Sequence, residues 1–151
     1  MMEQALADLG LLDGVGGSFV CDNAGDVIVS SAPPVLATDT MTSIGREVAR
    51  AFGAMEASGR PITRLEFTYD SWRLYSRDLE RALLFVVCHP AVDMSMVRMS
   101  VDVALSRWTK DRSVEKRLRA GGPARRDLAW QANLDDPPPS GRFIESFAQG
   151  G

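Results

Sequence analysis

Leu12-Asp13-Gly14-Val15-Gly16-Gly17-Ser18-Phe19-Val20-Cys21-Asp22-Asn23-Ala24-Gly25-Asp26-Val27-Ile28-Val29 reads as one β-hairpin with a glycine-rich entrance. Phe19, Val20 and Cys21 lead in, Val27, Ile28 and Val29 lead out, and apolar runs of this kind bounded by turn residues are strand signals. Between them Asp22-Asn23-Ala24-Gly25-Asp26 supplies residues that accept positive φ or close a turn with a side-chain oxygen. Gly14, Gly16 and Gly17 each weaken ordinary sheet packing, so their clustering points to a tight entrance or a close backbone approach. A phosphate cradle is disfavoured, because the stretch lacks the lysine and hydroxyl pair and precedes a strand instead of joining a strand to a helix.

Ahead of the hairpin, Leu6 and Leu9 share a face and predict a short helix over 3–11. After the hairpin, Ser30-Ser31-Ala32-Pro33-Pro34 ends the second strand, since proline cannot donate to a ladder. Thr38 or Asp39 can cap the next helix, where Met41, Ile44, Val48, Phe52 and Met55 recur on one face until Ser58-Gly59, before Pro61. From Ile62 the period switches to two, with Thr63, Leu65, Phe67 and Tyr69 on one face and Arg64, Glu66, Thr68 and Asp70 on the other. Trp72-Arg73-Leu74-Tyr75-Ser76 alternates as well, and Ala82-Leu83-Leu84-Phe85-Val86-Val87-Cys88 is apolar throughout, as a central strand covered on both faces would be. Asp93 is a cap for a final long helix in which Val97, Val101, Ala104, Leu105 and Trp108 recur, with Met94, Met96 and Met99 thickening that face.

A second stripe on the second helix, Gly45, Ala49, Gly53 and Ala57, is made only of small residues. Glycine inside a helix costs about 1 kcal/mol against alanine, so two on one face need compensation by a close neighbour. That neighbour is either the domain's own sheet or the same helix of a second copy across a two-fold axis.

The 151 residues fit one domain with a remainder. The domain is expected over 3–118 and a Gly/Pro-rich, flexible tail over 119–151, where Gly121-Gly122-Pro123 and Pro137-Pro138-Pro139 interrupt any core. Two apolar clusters stand in that tail, Leu128, Trp130 and Leu134, then Phe143, Ile144 and Phe147. Trp130, Phe143, Ile144 and Phe147 are candidates for docking on a partner or back onto the domain, the last three spaced for one helical turn.

Composition narrows the function classes. Hydrophobic residues make 45% and charged residues 25% of the chain, with no apolar run long enough to cross a membrane, so a soluble cytoplasmic protein with no membrane insertion is expected. The start, Met1-Met2-Glu3-Gln4-Ala5, has no basic residue and so lacks the beginning of a signal peptide. Cys21 and Cys88 lie in apolar runs and read as buried packing residues, and His89, the sole histidine, has no partners for a metal site. No metal, cofactor or catalytic constellation is expected. Net charge of −3 argues against general nucleic-acid binding. The segment 107–126 is locally basic, which suits a solvated helix end and leaves a nucleic-acid accessory role as the weakest alternative.

The order helix, strand, strand, helix, strand, strand, strand, helix resembles the roadblock/dynein light-chain family over about 3–112. The parts that carry the resemblance are the leader from Leu9 to Leu12, Gly14-Val15-Gly16-Gly17-Ser18, and Asp22-Asn23-Ala24-Gly25. Ile62-Thr63-Arg64-Leu65-Glu66-Phe67 and the run from Leu83 to Cys88 follow in the right order. The resemblance implies an α+β fold, a five-stranded antiparallel sheet between helices, that dimerises through the second helix and an edge strand so that two sheets become one. Gly45, Ala49, Gly53 and Ala57, with Leu65 and Phe67 on the third strand, would form that homodimer interface. It further implies a regulator or scaffold without an active site, since bacterial MglB-like members partner Ras-like small GTPases of the MglA type. A profilin-like sensory or ligand-binding module shares the layered plan and stands as the alternative.

Overall fold

The computed structural model describes residues 1–60, 62–120 and 122. Its elements are α1 (Met2–Leu9), β1 (Val15–Asp22), β2 (Val27–Ser31), α2 (Thr38–Ala57), β3 (Arg64–Thr68), β4 (Arg73–Asp78), β5 (Ala82–Cys88), α3 (Met94–Trp108) and α4 (Arg112–Ala120). The five strands form one sheet in the order β2-β1-β5-β4-β3, with every neighbouring pair antiparallel. The all-apolar β5 is central and buried along its whole length, as its composition requires.

Alternation along the strands builds two cores, one on each sheet face. Phe19, Cys21, Leu83, Phe85 and Val87 face α2, whose Met41, Ile44, Val48 and Phe52 close over them. Val20, Leu84, Val86 and Cys88 face the opposite way, under α1, α3 and α4. The Phe19 and Phe85 rings stack across the β1/β5 pair with centroids 4.8 Å apart. Both cysteines are free and buried, and burial pushes the Cys88 thiol up to about 12 and that of Cys21 higher still. They are protonated packing residues at neutral pH.

The hairpin is built as its residues dictate. One carboxylate oxygen of Asp22 accepts from the backbone N–H of Ala24 (2.9 Å) and of Asp26 (3.0 Å), and Gly25 takes φ 96°. At the entrance Gly14 has φ 88°, and a Cβ there would lie 2.9 Å from a Val92 methyl. Gly16 and Gly17 lie inside β1 instead of ahead of it, and the β1/β5 register slips between Val15 and Gly17. The entrance is therefore a turn glycine followed by a bulge.

Two expectations are corrected. Neither Thr38 nor Asp39 caps α2, because the helix begins at Thr38 and Ala37 holds the cap position with no side-chain hydrogen bond. Leu36 and Met41, both buried in the same cluster, flank that cap at the staple positions and fix the entry angle by apolar contact. The last helix is also two helices. Thr109 closes the first and Asp111 starts the second, its carboxylate accepting from Ser113 N–H at 2.8 Å, the Ser113 hydroxyl at 2.6 Å and Val114 N–H at 3.3 Å. Asp93 caps α3 as expected, bonded to the N–H groups of Ser95 and Met96.

Candidate functional site

An antiparallel sheet of this order has two edges, β2 and β3, and the chain treats them differently. Beyond β2 lies α4, anchored by buried Val114, whose Arg117 donates to the Ile28 carbonyl at 3.3 Å while holding Glu3 at 2.5 Å. After β2, Ala32 leads into Pro33-Pro34. The β2 edge is thus capped by a side chain and bounded by residues that cannot extend a ladder.

The β3 edge is different. Thr63 accepts from the Asp78 N–H at 2.8 Å, and the Tyr69 N–H donates to the Trp72 carbonyl at 2.9 Å. Antiparallel pairs alternate between bonded and non-bonded positions, and β3/β4 keeps one register throughout. The odd-numbered residues therefore bond to β4, and Arg64, Glu66 and Thr68 turn their N–H and C=O groups outward. Their side chains lie on the α3 face, where Glu66 pairs with Arg98 at 3.1 Å. Leu65, Phe67 and Tyr69 lie half-buried on the α2 face, against the α2 cluster.

The structure divides the small-residue stripe. Gly45 and Ala49 are buried within the protomer, and a Cβ on Gly45 would lie 3.0 Å from Cys21 Sγ and 3.3 Å from the Gly25 backbone. Gly45 therefore serves the close seat of α2 on its own hairpin, which Arg46 reinforces by donating to the Ala24 carbonyl at 3.1 Å. Gly53 is buried too, whereas Ala57 is exposed at the helix end. A flank that the sequence reading passed over is half-exposed along the whole helix: Thr40, Ser43, Glu47, Ala51 and Ala54, at three- and four-residue spacing. Tyr69 packs against the α2 cluster, and desolvation, then the Glu47 carboxylate of this flank, raises its phenol above its ordinary value. The spacing was visible in the sequence; its exposure was not.

Trp130, Phe143, Ile144 and Phe147 lie outside the described residues. In the described part of 107–126, Arg117 and Arg119 are tied to Glu3 and Glu115, so the basic run partly serves to hold α4. Among the described residues, no group of three His, Cys, Asp or Glu side chains is placed to hold a metal ion. No described helix is long and apolar enough to cross a membrane.

This arrangement, a β2-β1-β5-β4-β3 sheet with α2 on one face and α1 and α3 on the other, is the roadblock fold. Solved structures carry that assignment. A Roadblock/LC7 domain from Streptomyces avermitilis superposes with a TM-score of 0.60 at 12% identity, covering 72% of this chain and 94% of that one. MglB from Myxococcus xanthus gives 0.60 at 19% identity, over 72% of this chain and 81% of its own. The gliding protein MglB of Thermus thermophilus gives 0.56 at 17% identity, over 78% and 86%. No family model matches the chain, and no curated protein matches it by sequence. The likeness is one of fold, reached at identities where side chains have largely diverged.

Proposed function

We propose that this chain is a non-enzymatic regulator or scaffold that works as a homodimer and binds a Ras-like small GTPase. The observation that carries the reading is the asymmetry of the sheet edges: β2 is capped by Arg117 of α4, while β3 turns the backbone groups of Arg64, Glu66 and Thr68 outward. Open edges favour pairing with another strand, and a two-fold axis beside β3 would join two sheets into one. The half-exposed flank of α2 would then meet its counterpart. Similarity to MglB structures supports a GTPase of the MglA type as partner. Regulation would act by reordering the switch loops of the partner around its nucleotide, with no catalytic residue supplied by this chain.

Two measurements test the reading. Sedimentation should give a dimer at micromolar concentration, and a monomer would refute the assembly. Titration against a small GTPase encoded beside this chain should give binding that differs between GTP- and GDP-loaded forms. Equal affinity for the two forms, or none, would remove the GTPase from the proposal.

A further inference from the structure

The outer side of the α1/α3 layer carries an apolar groove that the β3 edge and α2 leave free. It has a volume of about 350 Å³ and is walled by Ala5 and Leu9 of α1 and by Met99, Val103, Ala104 and Trp108 of α3. Large apolar side chains that are exposed line it, Met99 at 63%, Met1 at 62% and Val103 at 48%, and Met96, 39% exposed, precedes Met99 by three residues on α3. Met96, Met99 and Val103 follow helical spacing, so they make a continuous stripe. In the wall, Trp108 is only 4% exposed, and its indole N–H is buried with no hydrogen-bond partner among the described residues. Buried donors are nearly always paired, and a stripe of exposed methionines is the adaptable kind of surface that receives a helix.

The course of the chain points to the occupant. The Asp111 N–H donates to the carbonyl of Trp108 in the groove wall, and α4 then passes α1 through Arg117 and Glu3. Gly122 follows beside Asp22. From there to Phe143 the backbone can reach ~70 Å at 3.3–3.6 Å per residue, while the groove is no longer than α3, ~22 Å at 1.5 Å per residue. In helical register Arg142-Phe143-Ile144-Glu145-Ser146-Phe147-Ala148-Gln149 puts Phe143, Ile144, Phe147 and Ala148 on one face and Arg142, Glu145, Ser146 and Gln149 on the other. The groove rim has one charge of each sign, Asp8 on α1 and Arg107 on α3, and so does this segment.

We propose that residues 142–149 of the same chain dock as a short amphipathic helix in the α1/α3 groove, with Phe143 and Phe147 against Met99 and Val103. A tether of this length holds the segment at high effective concentration, which favours occupancy in cis over capture of another protein. The proposal depends on neither the GTPase nor the β3 edge. It is tested on the full chain by following the methyl resonances of Met96 and Met99 and the indole N–H of Trp108. Phe143→Asp with Phe147→Asp should shift all three and speed exchange of the Trp108 N–H, and Val103→Glu, at an exposed position, should do the same to Met99 and Trp108. A synthetic peptide of residues 140–151, added to the Phe143→Asp/Phe147→Asp protein, should restore the original resonances. Resonances unmoved by the double substitution would overturn the proposal. So would wild-type resonances that change with protein concentration, which would place a second copy in the groove.

Discussion

Gly45 and Cys21 meet where α2 crosses the hairpin, and the 3.0 Å gap that a Cβ would leave to Cys21 Sγ makes a sharp test at the scale of single residues. Helix propensity alone favours alanine by about 1 kcal/mol, while overpacking a tight contact costs about 1–3 kcal/mol. Gly45→Ala should therefore destabilise the fold by about 1 kcal/mol, and the sign should reverse in a Cys21→Ala background. Denaturant midpoints of the four proteins in that cycle measure it, and additive effects would dismiss the contact. Gly25 is less forgiving, since a Cβ there would lie 2.8 Å from the Thr42 carbonyl oxygen at a φ of 96°. Gly25→Ala should cost about 2 kcal/mol or more, read from the thermal midpoint. The stripe containing Gly45 was legible in the sequence, yet its meaning was not, because spacing shows that residues share a face and not which neighbour approaches it.

Among the elements, α4 is short and is held to α1 through a charged pair, Arg117 with Glu3. Glu3 is held below its ordinary value chiefly by the hydrogen bond from Arg117, and Asp111 chiefly by the Ser113 hydroxyl, with the N–H groups of the α4 cap assisting. A carboxylate lowered in the folded state stabilises it above its ordinary titration range and loses that contribution as the pH falls through the lowered value. Acidification should therefore loosen α4 before the sheet opens, and the protection of amides in 112–120, taken relative to their intrinsic exchange rates at each pH, should fall on lowering the pH while that of β5 holds. Uniform loss of protection across both would contradict this. The break between α3 and α4 escaped the sequence reading because Asp111 lies in a run of charges that also suits a continuous helix end. The staple of Leu36 and Met41 escaped it because Thr38 and Asp39 offered a more familiar cap.

For the whole molecule the edge strand decides the assembly. The Glu66 N–H points away from β4 in the observed register, so proline there removes an outward donor while sparing the β3/β4 ladder. Glu66→Pro should convert the proposed dimer to monomer in sedimentation, with Glu66→Gln as the control that also breaks the Arg98 pair. That pair is partly exposed and contributes at most about 1 kcal/mol. A dimer unaffected by proline would move the interface elsewhere. Gly53→Leu is a less selective probe, since Gly53 is buried and a leucine there would disturb the fold together with any interface.

Period-two and period-three-to-four patterns, one all-apolar strand and the turn residues of the hairpin sufficed to determine the elements up to the break between α3 and α4, their order and the resemblance to roadblock domains. These signals are local, set by which face each residue presents and by what φ its backbone tolerates. Tertiary structure alone decided that Gly45 faces its own hairpin, that Arg117 caps the β2 edge, and that Arg64, Glu66 and Thr68 turn their backbones outward. Each depends on contacts between residues far apart in the chain, on register and on hydrogen-bond parity, none of which a linear pattern encodes.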